Sequence, residues 1–224
     1  MISEILQKIE LHQMWHNGEK DGKRADLSGE DLSDLDLSGL NLSGAKLIGT
    51  NFSNTDLHNA NFEYTVLYGA NFCEANISNA DFREAKLSYV NMSRSNARCT
   101  NFCDADISYA LFRDTNFHDT NLSDSAIFNT EFGGTDLSKA NLFGVTANNI
   151  YIRSVPTDKY HVVYTHNMLY IGHEVRKIED WWELDISEIP KMNNEMAIDW
   201  WRRWKPILME IIRSVPCYPT IVKK

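Results

Sequence analysis

Three groups of side chains in this sequence have types and spacings that could do chemistry. Toward the C-terminal end, His161, His166, His173 and Glu174 cluster in sequence. His166 and His173 straddle a predicted strand, so they could share a metal ion, though the spacing matches no familiar zinc pattern. The alternative is that they are exposed hairpin histidines. The four cysteines, Cys73, Cys99, Cys103 and Cys217, form no CxxC pair and read as reduced structural thiols. The third group is Glu84, Asp104 and Asp124, carboxylates twenty residues apart. They have no nucleophile motif, phosphate loop or paired acid/base beside them. Their chemistry is a field rather than a reaction, and neither an enzyme nor a cofactor is expected.

The element that positions these carboxylates is legible in RADLSGEDLSDLDLSGLNLSG, residues 24–44, where leucine returns every fifth position. A helix repeats its apolar face near 3.6 residues and a strand near 2, so five is neither. Twenty-four consecutive pentads run from Ala25 to Gly144, centred on Leu27, Leu32 and so on to Leu142, without insertion. Two before most centres stands Ala, Thr or Ser, and one before usually Asp or Asn. The pattern resembles the pentapeptide-repeat family, whose consensus reads A-(D/N)-L-x-x. The resemblance covers 120 of 224 residues. It implies a mainly β fold: a right-handed quadrilateral parallel β-helix, four pentads to a coil and about six coils. At the usual strand spacing that is ~29 Å long.

Residues twenty apart then share a wall. The first wall is centred on Leu27, Leu47, Leu67, Leu87, Ile107 and Ile127, and the second on Leu32, Phe52, Phe72, Met92, Phe112 and Phe132. The third has Leu37, Leu57, Ile77, Ala97, Phe117 and Leu137, and the fourth Leu42, Phe62, Phe82, Phe102, Leu122 and Leu142. Phenylalanine fills two opposite walls because four rings in one layer would overfill the square. Ala97 leaves space in its column, and Phe117, one coil on, is expected to lean into it.

With a solid core, recognition falls to the outer walls. Residues 25–144 hold 17 acidic and 7 basic side chains, a net of −10, while 1–24 sum to zero and 145–224 to +1. The fourth wall carries Glu63, Asp81, Glu84, Asp104 and Asp124 against Arg83; the second carries Glu30, Asp31, Asp34, Glu74, Asp114 and Glu131 against Arg94 and Arg113. The first wall displays Ile48, Val66, Tyr68, Tyr89, Tyr109, Ala126 and Phe128 outward. Either the terminal segments fold over this apolar stripe, or it meets a partner.

The resemblance supplies a function for the acidic walls. Quinolone-resistance and gyrase-inhibiting members of the family resemble a DNA duplex and bind type II topoisomerases as DNA mimics. That implies a protein partner, DNA gyrase or another bacterial DNA-binding protein such as a defence nuclease, with no direct nucleic-acid or membrane binding. A duplex of the same length carries ~17 phosphates. Two features weigh against it: Asp and Asn fit the turn anyway, and gyrase-protecting members often have loops that interrupt the repeats, absent here. The alternative is a scaffold or assembly protein that uses the apolar wall and the tryptophan-rich tail.

Residues 1–24 read as a helical cap, with Ile2, Ile5, Leu6, Ile9, Met14 and Trp15 on an amphipathic helix ending at Asn17-Gly18. Residues 145–224, where the pentad phase fails, read as a small α+β domain. A hairpin of Tyr160–Thr165 and Met168–Gly172 is followed by helices over Ile178–Leu184 and Asp199–Ile212, the second expected to kink or restart at Pro206. Trp200, Trp201 and Trp204 with Arg202 and Arg203 either build that domain's core or form a dimer or partner surface. The tail also resembles that of phage-encoded pentapeptide proteins, which implies a bacterial host. No signal peptide or 18-residue apolar run is present, so the cytoplasm is expected.

Overall fold

The computed structural model describes residues 2–135, 137, 139–148, 151–155, 157–172, 174–185, 188 and 195–218. In the pentad array, the residue before each centre pairs in parallel with its counterpart twenty residues on, from Asp26↔Lys46 to Ala126↔Thr146. Four pentads therefore make one circuit of a four-sided parallel β-helix. The rungs are backbone bonds: Leu27 N–H donates to Lys46 O at 2.8 Å and Lys46 N–H to Ala25 O at 3.0 Å. Each corner is a turn closed by a bond such as Glu30 N–H to Leu27 O, 3.1 Å. The residue two after the centre takes left-handed φ, +72° at Gly29 and +58° at Asp104. A centre, a two-residue turn and two residues leading to the next centre make five, which is the physical origin of the period.

The preference for Asp or Asn before the centre has two causes. The side-chain oxygen accepts the N–H two residues on, as Asn71 Oδ1 does from Cys73 at 3.2 Å. Asparagine also donates across coils, Asn71 to Asn51 at 3.0 Å, Asn96 to Asn76 at 3.1 Å and Asn141 to Asn121 at 2.9 Å. These ladders hold the outside while the core stacks inside. Phe62 lies on Phe82 at 4.7 Å between ring centroids and Phe52 on Phe72 at 4.8 Å, and the two stacks meet edge to face at about 5.9 Å. Phe117 meets Phe112 in its own coil at 4.8 Å and Phe102 at 6.1 Å in the preceding coil, where Ala97 is the small residue.

The front of the stack is closed by α1, Ile2–His16, which buries Ile5, Ile9 and His12 against the first coil. In later coils Asn61 O and Glu63 O receive N–H groups from Leu42 and Gly44. Their first-coil equivalents, Asn41 O and Ser43 O, have no preceding coil and instead meet Gln13 Nε2 at 2.6 Å and His16 Nε2 at 3.0 Å. The helix thus satisfies an otherwise open sheet edge.

At the far end the pentad register runs past Gly144: Thr146 pairs with Ala126, and Ala147 is buried where the next centre belongs. The sequence signal is lost there because the centre is alanine. A four-stranded antiparallel sheet follows: β1 (Arg153–Val155), β2 (Val162–Tyr164), β3 (Met168–Ile171) and β4 (Glu174–Lys177). The expected hairpin is β2–β3, with Tyr164 opposite Leu169, and the flanking strands were not anticipated. Val163 and Tyr170 point into the β-helix core, whereas Val162, Tyr164, Leu169 and Ile171 pack on α2 (Ile178–Glu183) and α3 (Glu195–Ser214). The sheet is therefore the rear cap as well as the floor of the small domain. α3 does not restart at Pro206 but runs through it as one element. Trp200 and Trp201 before the proline and Leu208 after it are all buried in the same cluster, anchoring both halves.

Candidate functional site: the outer walls

The fourth wall separates into two kinds of carboxylate. Glu63 and Asp81 are both gripped by Arg83, whose Nη2 lies 2.6 Å from one and 2.8 Å from the other. Arg83 offsets one of their two charges. Glu84, Asp104 and Asp124 stand exposed at left-handed corner positions and enter none of the ion pairs found among the described residues. The second wall follows the same rule, with Arg94 on Glu74 and Arg113 on Glu131. Arg83, Arg94 and Arg113 are thus spent on particular partners, while Glu84, Asp104 and Asp124 on the fourth wall and Asp31, Asp34 and Asp114 on the second stay exposed outside the ion pairs found among the described residues. A cleft of about 480 Å³ runs beside the fourth-wall column, lined by Glu84, Ala85, Lys86, Asp104 and Asp106.

The corner column continues in both directions. Tyr64, exposed one coil before Glu84, hydrogen-bonds that carboxylate, which together with its charge pushes the phenol above its ordinary pKa. After Asp124 comes Gly144, where an added Cβ would lie 1.9 Å from Asp124 Oδ1. The Asp124 carboxylate therefore lies along the stack over that glycine. Cys103 Sγ donates to Asp104 Oδ2 at 3.1 Å, and burial, with the adjacent carboxylates, raises its pKa. Cys103, Asp104 and Asp124 offer ligand atoms within 4.8 Å of one another. The protonated thiol makes this a hydrogen-bonded acidic patch at neutral pH. Tyr64 and Cys103 were missed in the sequence, although counting by twenties places Tyr64 in the same column as Glu84.

On the first wall no terminal segment among the described residues covers the apolar stripe. Tyr89 is 63% and Tyr109 47% exposed, and Ile48, Tyr68 and Phe128 are exposed too. Tyr89 and Tyr109 stack at 4.8 Å with their planes 9° apart.

The C-terminal groups divide between the small domain's core and its surface. Trp200 and Trp201 are 4% and 3% exposed inside the small domain, which takes both rings off the surface. Trp204 is half-buried, and Arg202 and Arg203 are exposed. Asp158 ties this face together: it accepts from Trp200 Nε1 at 3.1 Å and Trp204 Nε1 at 2.8 Å, and pairs with Arg203. Burial opposes its ionisation, but the Trp204 and Arg203 bonds outweigh that and hold its pKa below the usual carboxylate value. The described members of the histidine grouping stand apart from one another in their contacts. His161 rests edge-on against Phe143 at 6.1 Å, His166 is exposed in the β2–β3 turn, and His173 lies outside the described residues.

The family model for pentapeptide repeats matches eight copies spanning 23–54, 50–88, 85–124 and 105–144. The chain belongs to the pentapeptide-repeat family. Its β-helix is accordingly the right-handed quadrilateral kind. Among solved structures, this pentapeptide-repeat chain is similar to QnrB1, a plasmid-mediated fluoroquinolone resistance protein. They share 20% identity over 57% of this chain and 70% of that one, with a TM-score of 0.36. It is also similar to alr5209, a pentapeptide-repeat protein from Nostoc PCC 7120, at 24% identity over 62% and 93% of the two chains and a TM-score of 0.35. No curated protein matches. Among the described residues, no helix is long and apolar enough to cross a membrane.

Proposed function

We propose that this pentapeptide-repeat protein is a non-enzymatic binding module, an acidic decoy that occupies the DNA site of a bacterial DNA-binding protein in the cytoplasm. DNA gyrase or a phage-defence nuclease is the class of partner. The observation that carries the reading is the uncancelled column of Glu84, Asp104 and Asp124 beside a wall whose other acids are held by Arg83. Stacked coils place one such charge per ~4.8 Å, against one per ~3.4 Å along a DNA strand. Like charges this close repel by about 1 kcal/mol per pair even in water, a cost that a cationic partner would relieve. In this reading residues 1–24 cap the stack, 25–144 form six coils, and 145–224 form the small α+β domain.

The test is capture from bacterial lysate by wild type and by a triple Glu84→Lys, Asp104→Lys, Asp124→Lys variant. The decoy reading expects DNA-binding proteins on the wild type, displaced by added duplex DNA and absent from the variant. Equal recovery by both would falsify it. A second reading, a scaffold protein, is favoured by the uncovered first wall. In that case the triple variant keeps its partners, and changes at Tyr68, Tyr89, Tyr109 or Phe128 lose them.

A further inference from the structure

The first wall departs from the rule that the other three obey. On those walls the position before the centre is almost always Asn or Asp, building the cross-coil ladder. On the first wall the same position holds Lys46, Val66, Lys86 and Ala126, with acids only at Asp26 and Asp106. The ladder has been surrendered there. At the left-handed corner, where Gly49 and Gly69 stand in earlier coils, the chain places Tyr89 at φ +65° and Tyr109 at +61°. A side chain in that conformation costs about 1–2 kcal/mol relative to the right-handed one. The wall accepts two local penalties and displays stacked rings to solvent.

What replaces the ladder has a symmetry of its own. Counting outward from the midpoint between the coils of Tyr89 and Tyr109, Lys86 answers Asp106, Ser88 answers Ser108 and Tyr89 answers Tyr109. One coil farther, Val66 answers Ala126, Tyr68 answers Phe128 and Gly69 answers Asn129. Ser88 and Ser108 are both buried at 7% exposure, so neither obstructs contact. A two-fold axis lying across the wall at that midpoint carries each column onto itself and reverses its direction. It brings ring against ring, small residue against small residue, and cation against anion twice. That is the self-complementarity an isologous interface requires, in which residue i meets j and j meets i. Lys86 is exposed and, unlike Lys46 and Arg83, enters none of the ion pairs found among the described residues. The Asp106 carboxylate is fixed by the Ser88 hydroxyl at 2.7 Å and the Ser108 N–H at 3.1 Å, and enters none of the ion pairs found among the described residues.

We propose that the first wall is a self-association face. A second copy of this chain docks on it antiparallel, with Lys86 of each copy on Asp106 of the other and the tyrosines interleaved at the centre. Lys86 and Asp106 line the cleft beside the fourth-wall column, whereas Tyr89 and Tyr109 stand one corner on from Glu84 and Asp104, so the tyrosine variant tests this dimer independently of the decoy reading.

The test is molar mass by sedimentation equilibrium, with circular dichroism to confirm that each variant keeps its fold. Wild type is expected at twice 25.8 kDa. Lys86→Asp alone and Asp106→Lys alone each set like charges face to face twice and should raise the dissociation constant about tenfold or more. An equimolar mixture of these two variants should dimerise again, because each chain then supplies the charge the other needs. Recovery in the mixture cannot arise from pairing within one chain. Monomeric wild type, single variants that dimerise normally, or a mixture that stays monomeric would each overturn the proposal. So would an unchanged mass for the folded Tyr89→Glu/Tyr109→Glu double variant, since association would then run through another part of the chain.

Discussion

His12 shows how much of the front cap depends on one protonation state. It is fully buried, stacks on Trp15 at 5.4 Å, and its Nδ1 accepts the Ala25 N–H at 3.1 Å. An acceptor nitrogen must be unprotonated, and burial, then the neighbouring His16, lowers its pKa from 6.5. The unfolded chain therefore binds the proton more readily than the folded one. The stability this contributes is fully present above pH 6.5 and is lost progressively as pH falls from there through the lowered folded value. Urea midpoints measured across that window should decline for wild type and flatten for His12→Gln. A slope that persists in the variant would place the titration elsewhere. At the corners the same residue-level logic predicts a gain. Cys99 is exposed at φ +56°, a conformation that Asn tolerates better, so Cys99→Asn should stabilise by about 0.5–1 kcal/mol. Chemical denaturation would read this directly. Neither residue's role was legible beforehand. Cys99 looked like any free thiol, and His12 needed the helix to be laid across the first coil before its partner appeared.

At the scale of elements, the array was readable because one backbone solution repeats. A fixed turn every five residues forces the apolar period, and the period in turn fixes walls, columns and stacking rings. The sheet at the far end was only half readable. β2 and β3 have apolar alternation, but β1 is three residues long and β4 reads Glu-Val-Arg-Lys, with its apolar Val175 exposed. Nor could periodicity reveal that Val163 and Tyr170 face the β-helix while their neighbours face the helices. That division makes the sheet a cap. Val163→Asp should place an unpaired carboxylate against the last coil. The expected outcome is loss of the cap's protection in hydrogen exchange over Leu142–Ala147 and concentration-dependent aggregation, with the early coils unaffected. Trp181 tests the opposite face. It is fully buried and donates to Leu169 O at 2.7 Å. Trp181→Ala should cost about 3–5 kcal/mol, seen as early loss of near-ultraviolet tryptophan signal while the β-helix backbone signal persists.

For the whole molecule, the two proposed faces answer to different forces, and ionic strength separates them. The corner of Glu84, Asp104 and Asp124 acts through an uncancelled field on a chain of net charge −9. Exposed charges of this kind are screened beyond ~10 Å at 0.1 M salt, so partner capture should fall steeply as salt rises. The first wall joins mainly through rings and aliphatic side chains, and the two copies it joins are both acidic. Screening removes their long-range repulsion while costing only the two Lys86–Asp106 contacts, each an exposed pair worth at most about 1 kcal/mol. Self-association should hold or tighten over the same salt range. Titrating salt against both readouts on one preparation therefore gives opposite trends if the faces are distinct. Parallel decline of capture and dimer would mean that the acidic corner participates in both, and the assignment of separate walls to separate partners would fail.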